Sequence, residues 1–184
     1  MSLDRLQDRL GHRFRDAGLL NEALTHRSFG MPHNERLEFI GDGVLNCVIA
    51  LALYRRYPAL AEGDLSRLRA SLVRQDALHR LAVSLKVGDF LRLGEGELKN
   101  GGSQRPSILA DTVEALIGAV YLDGGFDAAQ ALIARLYLPL FDELNPGHVV
   151  KDAKTRLQLW LQGRKKPLPR YQVMATSGGA HEQR

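Results

Sequence analysis

Carboxylates stand where helices of a soluble protein normally present hydrocarbon. Glu35, Glu38 and Asp42 lie at i, i+3 and i+7 among Leu37, Phe39, Ile40, Val44 and Leu45. On a helix this spacing stacks the three acids along one face, where like charges destabilise an isolated helix. The pattern recurs downstream, where Asp111 and Glu114 sit inside the apolar run 108–117. Acids embedded in apolar helices are seldom fully buried unless they are paired or hold a metal. Two such helices facing each other would offer four oxygen ligands, a set that suits Mg²⁺ with Mn²⁺ as substitute. Thiolates and ligand-spaced histidines are lacking, which argues against zinc. A di-iron centre needs Glu-x-x-His on two helices, and the acidic stretches have none. Asp76-x-x-His79 occurs once, elsewhere, and reads as a surface pair. Ordinary salt-bridged surface acids remain the competing reading. Gly41 and Gly43 flank Asp42. Glycine inside a helix costs about 1 kcal/mol relative to alanine, so two in one turn point to a close approach by another backbone or a ligand.

The 184 residues allow one full domain and part of another. Helical periodicity predicts a long helix over 34–57, stopped by Pro58, and a second over 62–86 with a stripe of Leu65, Leu68, Leu72, Leu78, Leu81 and Leu85. Glycine breakers make 87–105 mostly loop. A third helix starts at Pro106 or Ser107 and ends by Gly124-Gly125; a fourth covers 127–144 with a bend at Pro139. Asn145-Pro146-Gly147 marks the domain boundary, which gives an all-α unit over 1–146. Beyond it, 151–184 reads as a short helix (152–162), a basic connector (164–169) and a strand (170–175), too little to close a core. Residues after 147 are therefore expected to be disordered or only locally helical.

Charge is uneven. Residues 151–184 carry eight Lys/Arg against two Asp/Glu, a net of +6, while the remainder carries 17 against 19, a net of −2. A basic segment on a mildly acidic body suits a polyanion, most simply nucleic acid. The single cysteine, Cys47, excludes an internal disulfide and reads as a small buried hydrophobe in a chain from a reducing compartment. The longest apolar run, 44–54, is too short for a membrane span, and the N-terminus lacks a signal-peptide core, so a cytoplasmic protein without a membrane partner is expected. Ser28 and Ser66 sit beside basic residues but suggest no catalytic triad. Gly94-x-Gly96 follows no strand and is not a nucleotide fingerprint.

His33-Asn34-Glu35-Arg36-Leu37-Glu38-Phe39-Ile40-Gly41-Asp42 resembles the signature of bacterial ribonuclease III, an endonuclease of double-stranded RNA. Further stretches resemble that family's blocks in order: Leu24-Thr25-His26-Arg27-Ser28, Glu62-Gly63-Asp64-Leu65-Ser66, Gly96-Glu97-Leu98-Lys99, and 110–118. Lys154-Thr155-Arg156-Leu157-Gln158 is similar to the opening of a double-stranded-RNA-binding domain, cut short here. The resemblance implies a helical endonuclease domain followed by an incomplete α/β RNA-binding domain. It implies Glu38, Asp42, Asp111 and Glu114 as catalytic metal-binding acids, Glu35 and Glu62 as supporting acids near the scissile strand, and Phe39 as a plug into the partner of a homodimer. It implies Lys154, Thr155 and Gln158 as RNA contacts. It further implies metal-activated water as nucleophile, products with 5′-phosphate, 3′-hydroxyl and short 3′ overhangs, and processing of ribosomal RNA precursors and other structured transcripts. A non-catalytic double-stranded-RNA-binding protein on the same fold is the alternative. Gly43 departs from the signature, which commonly has serine or another small residue there. Lys99 and Arg105, in the glycine-rich loop, are candidates for phosphate contact or for plain solvation.

Overall fold

The structure, a computed structural model, describes residues 2–144 and 153–169. The chain divides into two units, Met1–Pro146 and Gly147–Arg184. In the second unit the described element is a helix, Ala153–Gly163; the strand expected at 170–175 lies outside the described residues.

The first unit is built on two long helices. α3 (Glu35–Arg56) buries Leu37, Gly41, Leu45, Val48, Ile49 and Leu53, and ends with Arg55 and Arg56 against the negative end of its dipole. α7 (Pro106–Glu143) starts with proline at a position that needs no N–H. The most extensive packing in the fold is α3 on α7. By length and composition each could cross a membrane, but each spends its apolar face on the core. At the crossing the two backbones touch. A Cβ on Gly41 would stand 1.8 Å from the Glu114 carbonyl oxygen, and one on Gly118 would stand 2.1 Å from that of Leu37. The sequence expectation of a close approach therefore holds at Gly41. It fails at Gly43, which faces open space.

The leucine stripe read as one helix is two, α4 (Glu62–Val73) and α5 (Gln75–Leu85), separated at Arg74 with extended backbone (φ −68°, ψ 156°). The six-residue step from Leu72 to Leu78 turns about 240° around a helix axis, so an unbroken helix could not aim both at one core. The break lets Leu68, Leu72, Leu78, Leu81 and Leu85 all be buried. The two helices read over 106–144 are joined in α7, where Gly125 (φ 81°, ψ −176°) is the residue with non-helical backbone. The interruption thus falls at the glycine pair where the third helix was expected to end, and Pro139 lies within the helix that follows.

The sequence reading passed over α1 (Leu3–Leu10) and α2 (Ala17–Ala23), although both carry N-cap signals. The Ser2 hydroxyl accepts from the Asp4 N–H, and the Asp16 carboxylate accepts from the Gly18 N–H. Buried Asp123 then ties their connection to α7, accepting from the backbone N–H groups of Arg15 and Asp16 and bonding the His12 ring at 2.8 Å. Residues 87–105 are not simply loop. They form two single 3₁₀ turns and α6 (Glu95–Lys99). Cys47, expected inside, is exposed on α3 because the adjacent positions 45, 48 and 49 take the core face.

The crossing makes a differential test. Gly41→Ala must push backbone aside, with an expected cost of about 3 kcal/mol or more, whereas Gly43→Ala gains helix propensity of up to about 1 kcal/mol. Calorimetry should show the first variant melting several degrees lower than the second; equal melting temperatures would contradict the contact.

Candidate metal centre

The Gly41–Gly118 crossing brings the first turn of α3 beside the first turns of α7. Glu38 from α3 and Asp111 and Glu114 from α7 each offer a carboxylate oxygen, and these oxygens lie within 4.8 Å of one another. All three side chains are half-buried. Burial raises the proton affinity of each. For Glu38 and Glu114 the neighbouring acids add to that effect, and Glu114 is pushed up to about 8 from an ordinary 4.5. Asp111 is raised by burial and eased back by the neighbouring His26 and Arg27 side chains. Three half-buried acids with overlapping fields and hard oxygen donors form a set that fits a divalent cation of the Mg²⁺ or Mn²⁺ type.

Asp42 stands apart from this trio. It is exposed, and its carboxylate accepts from the Asn46 side-chain amide at 2.8 Å, one turn further along α3. Its charge nonetheless raises the proton affinity of Glu38 and is the strongest of the acidic influences on Glu114. Sequence reasoning did not single out Asn46; its signal was the i, i+4 spacing of an amide to an acid.

Beside the trio opens a polar hollow of about 590 Å³, lined by His26, Arg27, Glu35, Glu38, Arg105 and Asp111 among others. Glu35 lies at this hollow, 3.3 Å from the Arg27 guanidinium. Arg105 is here too, 2.6 Å from Glu97. Lys99 pairs with Glu95 on the exposed face of α6. Glu62 is elsewhere in the chain: it accepts from the Ser66 hydroxyl at 2.7 Å and borders a separate groove of about 330 Å³ between α3 and α4, with Ala50, Leu51, Tyr54, Leu65 and Arg69. Phe39, next to Glu38, points outward with 81% of its surface exposed. Asp76 pairs with Arg74, and its helix supplies nothing to the trio. Of the residues expected to touch RNA, Gln158 is half-buried on the helix of the second unit, while the side chains of Lys154 and Thr155 lie outside what the structure describes.

Comparison with known proteins gives one family. Residues 16–140 match the family model described as ribonuclease-III-like. Over 184 residues the chain is 65% identical to Ribonuclease 3 of Dechloromonas aromatica, covering all of this chain and 83% of that one. It is 60% identical over 181 residues to Ribonuclease 3 of Aromatoleum aromaticum, covering 98% of this chain and 80% of the other. A solved nuclease domain of ribonuclease III from Campylobacter jejuni superposes with a TM-score of 0.75 at 44% identity, over 77% of this chain and 99% of that one. It is described as flexible in a region involved in dimer formation. Dicer from Pichia stipitis superposes with a TM-score of 0.57 at 27% identity, over 92% and 78% of the two chains.

The raised proton affinity of Glu114 sets a pH dependence. The unfolded chain releases this proton near 4.5 and the folded chain near 8, so between those values the folded state holds more protons. Metal-free stability must then fall as pH rises through that window. In EDTA, the stability of Glu114→Gln relative to the unsubstituted protein is expected to grow from acidic pH towards pH 8, and divalent metal should shrink the difference. A difference flat with pH would contradict the crowding.

Proposed function

Because the chain belongs to the ribonuclease III family and is thereby an endonuclease of double-stranded RNA, we propose that it cuts with a divalent cation held by Glu38, Asp42, Asp111 and Glu114. The observation that carries this reading is the convergence of acids from α3 and α7 at one half-buried point. Hard oxygen donors favour Mg²⁺, with Mn²⁺ as substitute. When bound, the cation supplies positive charge against the phosphate and acidifies water.

The side chains then divide the work. Glu38, Asp111 and Glu114 would hold the ion through their carboxylate oxygens. Asn46 keeps Asp42 oriented at the edge of the set. Arg27 and Arg105 line the hollow, and on binding they would exchange their pairings with Glu35 and Glu97 for phosphates of the RNA backbone. Glu35, paired with Arg27, stands at the same mouth. Hydrolysis that leaves 5′-phosphate and 3′-hydroxyl ends needs no nucleophilic side chain. Of the two serines lining the hollow, Ser28 lies 2.8 Å from the His26 ring and accepts from the Gly94 N–H, and among the described residues no carboxylate is bonded to that ring to complete a triad. A binding-only protein on this fold would have no need of the complete acid set.

The reading extends to a homodimer. Phe39 is a bare aromatic one residue from Glu38, and the groove between α3 and α4 is of aromatic size. Seating the Phe39 of one copy in the groove of another brings Glu62, which borders that groove, towards the acids of the other copy. Two sites so paired would cut the two strands with short 3′ overhangs. Lys154, Thr155 and Gln158 in the basic segment would read the minor groove by shape. The substrates would be ribosomal RNA precursors and other structured transcripts in the cytoplasm.

Incubation with a long RNA duplex tests the reaction. Cutting with Mg²⁺, none with EDTA, and a loss of more than about a hundred-fold in Glu114→Gln with duplex binding retained are expected. Undiminished cutting by Glu114→Gln would refute the acid assignment. Sedimentation should show Phe39→Ala shifting towards monomer; an unchanged dimer would refute the plug.

A further inference from the structure

His26 is held more firmly than a residue in a surface turn requires. Its backbone N–H donates to the Arg92 carbonyl at 3.0 Å, and the Arg92 N–H donates to the Leu24 carbonyl at 2.8 Å, forming an isolated bridge beside Thr25. The Asn34 N–H closes the turn on the Thr25 carbonyl at 2.9 Å. The Thr25 hydroxyl donates to the Asn21 carbonyl at 2.6 Å, and the Arg92 guanidinium lies 4.4 Å from the Phe29 ring centre. On the far side Gly94 packs against this turn so closely that a Cβ there would stand 2.3 Å from the Ser28 carbonyl oxygen.

The imidazole is fixed as well. The Ser28 backbone N–H donates to Nδ1 at 3.2 Å, and the Ser28 hydroxyl, which accepts from the Gly94 N–H at 3.0 Å, lies 2.8 Å from the same nitrogen. A backbone N–H can only donate, so Nδ1 is an acceptor and the neutral ring carries its proton on Nε2. A ring in that tautomer offers a hydrogen-bond donor and no lone pair at Nε2, so it is unsuited to be a further metal ligand. His26 lines the same hollow as Glu38 and Asp111. No acceptor from the protein is bonded to Nε2 among the described residues.

We propose that His26 is a substrate-contacting residue whose Nε2–H donates to a phosphate oxygen of the RNA strand lying in the hollow beside Glu38 and Asp111. The inference rests on the reading of that hollow as the nuclease site. It adds a group of opposite hydrogen-bonding sense to the acids: they hold the cation, and the ring grips the backbone it acts on. Nothing covalent is asked of the ring. Its anchored turn means that little entropy is lost when the bond forms.

The test compares His26→Ala, His26→Gln and Glu114→Gln in single-turnover cleavage of one RNA duplex with saturating Mg²⁺, alongside thermal melts. A hydrogen bond to a charged group corresponds to about a ten- to hundred-fold effect on rate. His26→Ala should lose that much while melting near the unsubstituted protein, and His26→Gln, which keeps an N–H donor, should recover a substantial part. A phosphorothioate placed at the contacted phosphate should slow the unsubstituted protein more than His26→Ala, a readout that a purely structural histidine would not move and that survives if one variant folds poorly. His26→Ala cutting at the full rate while Glu114→Gln is dead would overturn the role of His26 alone. Equal losses in His26→Ala and His26→Gln, tracking lowered melting temperatures with an unchanged thio effect, would also overturn it. Full cutting by Glu114→Gln would instead remove the site reading beneath it.

Discussion

The whole site depends on one backbone contact. Where α3 crosses α7, Gly41 and Gly118 remove the side chains that would hold the helices apart, and each presses on a carbonyl of the other helix. Helix pairs separated by ordinary side chains stand about 8–10 Å apart between axes. Closer approach lets acids on neighbouring turns converge, and so Glu38 meets Asp111 and Glu114. The glycines cost helix propensity and return position. The surrounding apolar packing, from Leu37, Leu45, Val113 and Ile117, holds the crossing shut.

The same geometry creates an electrostatic debt. Burial raises the proton affinity of Glu38, Asp111 and Glu114, and repulsion from neighbouring acids, Asp42 at their edge included, adds to it at Glu38 and Glu114. A fold selected for stability alone would replace them with hydrocarbon or pair each with a lysine. Here the arginines of the adjoining hollow, Arg27 and Arg105, are paired with Glu35 and Glu97 and not with the trio. Among the described residues the arrangement leaves the trio without a cation of its own, beside an opening edged by two guanidinium groups. That is the distribution needed to take a small cation at the centre and a polyanion at the rim.

Much of this was legible in the residues, for identifiable reasons. The acids at i, i+3 spacing in apolar runs announced both helices and the face each would share, because period 3.6 is a strong signal in long segments. Pro106 and Gly125 marked a start and an interruption through their backbone chemistry. The misreadings have physical causes too. A leucine stripe over 62–86 ignored the six-residue step at Leu72–Leu78, which only a break at Arg74 can reconcile with one core. Gly43 was grouped with Gly41, though it points the other way around the helix. Cys47 was judged by its apolar neighbours and not by its face. Asn46 on Asp42 was carried by its i, i+4 spacing and went unused, whereas His26 on its turn is a tertiary and tautomeric fact that no periodicity carries. Glu62 looked like a companion of the other acids, and within one chain it lies in a different groove.

The account stands on a cation held between α3 and α7. Anomalous scattering at the manganese edge, from crystals of the protein grown with Mn²⁺, tests it most directly. The expected result is a peak bounded by Glu38, Asp111 and Glu114, lost in Glu114→Gln crystals. An empty site at saturating Mn²⁺, with the peak elsewhere or absent, would contradict it.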